Sequence, residues 1–309
     1  MIVSMSDKTS RLAETIRPRP ETSSVAIAAP GQEEGFWAGA PSSVYHDGYF
    51  YLAYRLRQPV ALGRGQGVII ARSPDGVAFT TIGQISKDEM DAESLERPTL
   101  VKTPGGKWRL YLSCATRGTK HWRVELLEAD DPSQFQADSR LTVLPGDGLW
   151  GVKDTVIARH GENWHLWATC HPLDVADQED RMISRYATSA DGVRWEWQST
   201  CLKGRDGQWD ARGARVTAVV FGEGQIIALY DGRANARENF EERTGLAVGT
   251  GPGLFKAVGQ EPWAQSAEGK GLRYVDVLKL PDGTYRLYYE LSLPDGSHEV
   301  RTQLGESSN

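Results

Sequence analysis

Cysteine is scarce in this chain of 309 residues: there are three, Cys114, Cys170 and Cys201. An odd, widely spaced set supplies neither a disulfide framework nor a zinc-ligand pattern. Cys114 and Cys170 each fall six residues after an aligned tryptophan in the repeats described below, as buried small hydrophobes would. Histidine is limited to six, and neither His46 nor His171 has a partner at metal-ligand spacing, so no metal site is predicted and hydrogen-bonding roles are expected. No stretch approaches the ~18 apolar residues of a membrane span, and the N-terminus lacks the apolar core of a secretory signal. A cytoplasmic protein with no membrane partner is the expectation. Basic blocks are also missing: 35 Lys and Arg stand against 41 Asp and Glu, a net charge of −6, which argues against nucleic acid as a partner.

What the chain does have is a recurring segment. Five times, roughly 60 residues apart, a β-branched or apolar run, a tight turn and an aromatic-rich run follow one another. The copies are Ala40–Tyr54, Arg97–Ser113, Lys153–Thr169, Arg215–Asp231 and Tyr274–Glu290. Their turns (Asp47-Gly48, Pro104-Gly105-Gly106, Gly161-Glu162-Asn163, Gly222-Glu223-Gly224, Pro281-Asp282-Gly283) carry the residues that tolerate positive φ. In Trp108-Arg109-Leu110-Tyr111-Leu112 the alternation of the second strand is plain, so one face is buried.

A second hairpin follows each first one. Ser73-Pro74-Asp75-Gly76-Val77-Ala78-Phe79 and Ser189-Ala190-Asp191-Gly192-Val193-Arg194-Trp195 are the same turn, with weaker versions at 129–135 and 250–255. Four strands per repeat predict an all-β, five-bladed β-propeller with antiparallel blades. The fifth repeat runs out after a third strand near His298–Leu304, which would leave an open sheet edge. The run Ser23–Ala28 is the only strand-like segment before the first repeat and is predicted to close the ring there. Residues 1–18 are expected to be a flexible segment or a short helix, and residues 19–309 one propeller domain.

In a propeller, the start of each innermost strand and the end of the next strand open onto one funnel. The first set here includes Trp37, Glu96, Arg97, Lys153, Asp154, Arg215, Arg273, Tyr274 and Asp276. The second includes Arg55, His171, Asp231, Arg233 and Glu290. Carboxyls from neighbouring blades, Glu96 and Asp154, suit a general acid and base flanking a glycosidic bond; ion pairing with Arg97, Lys153 or Arg215 is the structural alternative. Asp276 and Asp231 are candidates for a third carboxylate that orients substrate or tunes a pKa. Trp37 and Trp150 would stack on sugar faces or else pack between blades. The arginines are candidate partners for hydroxyl, carboxylate or phosphate groups.

On these residues the chain resembles the five-bladed propeller glycosidases: glycoside hydrolase family 43 and the invertase-like families. Glu96-Arg97-Pro98 looks like their acid motif, and Lys153-Asp154-Thr155 is similar to their Lys-Asp-Pro strand start. The resemblance spans about residues 33 to 304. It implies a hydrolase acting on a small glycoside without cofactor, with Glu96, Asp154 and Asp276 as the catalytic set. The departure is Ala40, which stands where those enzymes carry an aspartate before Pro41, and Glu96 precedes Asp154 in the chain where the family order would place it later. A phosphorylase or lyase acting on an anionic sugar, and a carbohydrate-binding propeller without catalysis, are the alternatives.

Overall fold

Two elements precede the first repeat: helix α1 (Asp7–Thr15), whose N-cap Ser6 accepts from the Thr9 N–H through its hydroxyl, and strand β1 (Ser24–Ile27). The computed structural model describes residues 5–267 and 270–306. The short-helix alternative is what forms, and it is docked rather than loose: Ala13 and Ile16 are fully buried against Leu246, Leu272 and Val275. The rest of the predicted flexible segment, residues 1–4, lies outside the described residues.

The predicted hairpins all form. β2 (Trp37–His46) and β3 (Tyr49–Arg57) turn at Asp47 and Gly48, both at positive φ (49° and 79°), the geometry that a two-residue turn between twisted strands requires. With β4 (Gly65–Ser73) and β5 (Thr80–Ser86) they make four successive antiparallel strands. The same up-and-down order recurs in β6 (Leu95–Lys102), β7 (Trp108–Ala115), β8 (Trp122–Ala129) and β9 (Leu141–Leu144), in β10 (Trp150–His160), β11 (Asn163–Pro172), β12 (Ile183–Ser189) and β13 (Glu196–Leu202), and in β14 (Gly213–Phe221), β15 (Ile226–Arg233), β16 (Arg243–Gly251) and β17 (Leu254–Val258). The last group is β18 (Leu272–Lys279), β19 (Tyr285–Ser292) and β20 (His298–Leu304).

β1 pairs antiparallel with β20, with Ser24 opposite Thr302, as expected for Ser23–Ala28. A single parallel contact, Trp37 with His298, also joins β20 to β2 and links the first and last groups into one sheet. The architecture is all-β, with three separate four-stranded antiparallel sheets, and it is consistent with a propeller.

The innermost strands neighbour one another in the order β2, β6, β10, β14, β18 and back to β2. A sheet with one apolar face cannot bury it alone, and here each gap between successive groups holds its own hydrophobic cluster. Trp108 and Leu110 meet Val68 and Ile70; Leu166 and Ala187 meet Val124 and Leu126. Trp167 and Tyr186 meet Val216 and Ala228, and Tyr288 and Val300 meet Leu52 and Ile69. The paired Ser-x-Asp-Gly turns act as latches: the Gly76 carbonyl accepts from the Tyr288 hydroxyl at 2.9 Å, and that of Gly192 from the Tyr111 hydroxyl at 2.7 Å. Among the described residues no helix is long and apolar enough to cross a membrane.

Candidate active site

Each innermost strand carries a bulge near its start, where the register slips between Gly39 and Ser42, Leu95 and Pro98, Lys153 and Val156, Val216 and Ala218, and Arg273 and Asp276. At three of these bulges the backbone is left-handed: Ala40 (φ 52°), Asp154 (φ 51°) and Tyr274 (φ 52°). This is a costly conformation for a residue with a Cβ, above all for tyrosine. A side chain from the neighbouring group of strands holds each one by accepting its N–H: Glu290 for Ala40 at 3.0 Å, Ser113 for Asp154 at 2.9 Å, and both oxygens of Asp231 for Tyr274 at 3.1 Å. The strand repeat therefore turns chosen side chains inward through bulges that neighbouring sheets brace.

A cleft of about 220 Å³ opens where these bulges converge. Of the residues expected at a funnel, Arg55, Glu96, Lys153, His171, Arg215, Arg233, Arg273 and Tyr274 line it. Asp154, Asp231 and Glu290 lie directly behind that lining, fully buried. Arg97 and Asp276 are turned away from it: Arg97 Nη2 donates to the Thr217 carbonyl at 2.7 Å and stands 4.0 Å from Asp276, which accepts from the Ser43 N–H at 3.0 Å. Asp276 is thus not brought together with Glu96.

Trp37 is buried, its ring stacked on His298 at 4.4 Å and its Nε1 bonded to the Gly296 carbonyl, so it offers no face to a sugar. Trp150 packs against the Val143–Val152 cluster. The tryptophan in the cleft is instead Trp122, under the Lys153 ammonium at 4.5 Å.

The charges form an alternating chain. Arg233 and Arg273 both bind Glu242, and Arg273 continues to Glu290 at 2.7 Å. Glu290 also accepts from Arg55 at 2.8 Å and from His298 Nδ1 at 2.6 Å. Arg55 in turn reaches Glu96, whose other oxygen takes Arg57 at 3.2 Å. Burial pushes Glu96, Glu242 and Glu290 upward, but the guanidiniums outweigh it and hold all three well below the usual carboxylate range. Asp154 behaves likewise: burial raises it, while Lys153 (3.6 Å) and Arg215 (3.4 Å) prevail and lower it. Its Oδ2 also meets the Tyr274 hydroxyl at 3.3 Å, whereas its buried Oδ1 has no hydrogen-bond partner.

Asp231 is the exception. Burial lifts it to about 6 although Arg215 binds it through Nε at 3.0 Å and Nη2 at 2.8 Å. Tyr274 is surrounded by cations, with the guanidiniums of Arg215, Arg273, Arg55 and Arg97 3.9, 5.3, 5.6 and 5.9 Å from its ring centre. Burial nevertheless raises the phenol and keeps it protonated. His171 donates from Nδ1 to the Glu179 carbonyl at 2.7 Å; burial, then Lys153, lowers it to about 3, which leaves a neutral ring with an unpartnered acceptor at Nε2.

Several cleft residues escaped the repeat. Arg57 sits two residues after Arg55 on the same strand face, a period-2 signal that could have found it. Arg64, Phe240 and Glu242 lie in connections outside the repeated frame, where one copy says nothing about another. Among the described residues no group of three or more His, Cys, Asp or Glu side chains is arranged to hold a metal ion.

No family model and no curated protein sequence matches the chain. Solved structures do. A thermostable family-43 glycoside hydrolase superposes with a TM-score of 0.69 at 16% identity over 86% of this chain and 89% of the other. An α-L-arabinofuranosidase from Lactobacillus brevis gives 0.65 at 18% identity, covering 86% and 90%. A structure from the GH130 family of mannoside phosphorylases, which contains glycoside hydrolases that target β-1,2 mannosidic linkages in Candida mannan, gives 0.66 at 15% identity, covering 93% and 92%. The fold is that of the propeller-type glycoside hydrolases.

Proposed function

We propose that this chain is a carbohydrate-active enzyme that processes a small glycoside in the central funnel of a five-bladed propeller. The cyclic order of the innermost strands supports the five-blade reading, and the pairing of β1 with β20 supports closure of the ring from the N-terminal side. The observation that carries the catalytic reading is Asp154: a buried, ionised carboxylate with one oxygen unsatisfied, on a strained bulge beside the cleft. Its free oxygen can accept a hydrogen bond from a substrate hydroxyl or water, and the Tyr274 phenol 3.3 Å from its other oxygen stays protonated.

Of the roles first expected, Asp154 keeps the base role in this reading and Glu96 gives up the acid role. Glu96 is bound by Arg55 and Arg57 and stays ionised, so it serves as their anchor rather than as the acid. Asp154 takes the base role and the Tyr274 phenol the acid role.

Turnover of a panel of aryl glycosides tests the assignment. Asp154→Asn and Tyr274→Phe should each lower kcat/KM by about 100-fold or more with thermal unfolding still cooperative. Full activity in Asp154→Asn would overturn it. Turnover that depends on inorganic phosphate would identify a phosphorylase, and calorimetric sugar binding without any turnover a binding propeller.

A further inference from the structure

The cleft is electrically lopsided. Six arginines and two lysines line it against four carboxylates, Glu96, Glu179, Asp180 and Glu242. On the side built by β14–β20 the charges cancel: Arg233 and Arg273 share Glu242, Arg273 adds Glu290, Arg215 has Asp231, and Arg212 has Asp180 at 2.6 Å. On the opposite side Arg55, Arg57, Arg64 and Lys153 face Glu96 and Asp154; Asp154 is shared with Arg215, and Arg55 is also committed to Glu290.

Three of these cations have donors to spare. Arg64 stands at a left-handed position (φ 63°) in the β3–β4 connection, its guanidinium 5.9 Å from the Trp122 ring, with no carboxylate within 4 Å among the described residues. Lys153 Nζ makes no hydrogen bond there, only the 3.6 Å approach to Asp154 and the face of Trp122. Arg57 is clamped between Trp37 and Phe240 at 4.5 and 4.7 Å, and its buried Nε has no partner. Holding like charges together costs free energy unless a counter-charge arrives. Beside them, His171 Nε2 is a buried acceptor without a donor.

We propose that Arg57, Arg64 and Lys153, over Trp122, form an oxyanion subsite for the carboxylate or phosphate of an acidic sugar, with His171 Nε2 accepting one of its hydroxyls. This deepens the reading of the cleft as a carbohydrate site and rests on it. Oxyanions take charge-assisted hydrogen bonds from such donors, guanidiniums bidentately where geometry allows. The acceptor at His171 favours a sugar acid over a bare anion: a sugar hydroxyl donates to it while the acid group takes the cations, whereas a lone oxyanion must serve both with one small group.

Calorimetry on the intact chain tests this with glucuronate, galacturonate, glucose 6-phosphate, glucose and inorganic phosphate. An acidic sugar should bind at least tenfold more tightly than glucose, lose affinity as salt rises, and lose roughly tenfold in Arg64→Ala at unchanged melting temperature. Preference for the uronates or for the sugar phosphate names the anion. Equal binding of glucose and the acidic sugars overturns the subsite, as does inorganic phosphate binding as tightly as any sugar. Acidic-sugar binding without turnover of any glycoside would leave the subsite standing and remove the enzymatic reading. Turnover of neutral glycosides with no acidic-sugar preference would do the reverse.

Discussion

Glu290 shows what a single side chain does in this protein. Fully buried, it accepts from Arg55, Arg273, His298 and the Ala40 N–H, and so ties the last innermost hairpin to the first. Removing its charge leaves two buried guanidiniums facing one another, so Glu290→Gln should cost about 3–5 kcal/mol in urea unfolding. The pH dependence follows from the same contacts. Carboxyls depressed by their partners, Glu96, Glu242 and Glu290, stabilise the fold above the unfolded value of about 4 and lose that contribution as pH falls through their lower folded values. Stability should therefore drop steeply below pH ~4. Asp231 runs the other way: raised from 3.8 to about 6, its share is present below its unfolded value and lost as pH rises through about 6. Asp231→Asn should remove that slope, read as the urea midpoint against pH between about 4 and 6.

At the scale of the element, the bulged strand start is the working unit, and its residues differ by position rather than by chance. Gly39 stands opposite Arg55 as Lys153 stands opposite Thr169 and Arg273 opposite Glu290. A Cβ on Gly39 would lie 1.8 Å from Glu290 Oε2 and 2.7 Å from its Cγ. Gly39→Ala should thus destabilise by about 1–3 kcal/mol, seen in the melting temperature, because it displaces the carboxylate that braces Ala40. The first inner strand, which carries alanine at position 40, thus receives a carboxylate from the other end of the chain at its bulge. The outer turns make a milder case. Tyr288→Phe and Tyr111→Phe each remove one hydrogen bond between neighbouring groups of strands, to Gly76 or Gly192, and should cost about 1 kcal/mol each.

For the molecule as a whole, the N-terminal segment is structural. β1 covers the edge of β20, and α1 buries Ala13 and Ile16 against the cluster around Leu272. A chain lacking residues 5–28 should melt at lower temperature and self-associate through the bared β20 edge, as light scattering would report.

The hairpins, their turns and the N-terminal strand that pairs with β20 were legible in the sequence because hydrogen-bonding turns and alternating burial are local properties. Asp47-Gly48 and the alternation from Trp108 to Leu112 need no distant partner to declare themselves. The repeat also named most of the cleft, since Glu96, Lys153, Arg215 and Arg273 occupy its inner-strand starts. What those side chains do was decided only in the tertiary structure. Whether Glu96 holds a proton depends on Arg55 and Arg57, one sheet away, and whether Trp37 meets a sugar depends on His298 at the far end of the chain. The sequence by itself determined the strands, the turns and the side chains offered at one mouth. The packing of sheet against sheet decided which of them stay charged, which are capped and which are left with free donors, because a buried charge takes its state from neighbours that the chain brings to it only on folding.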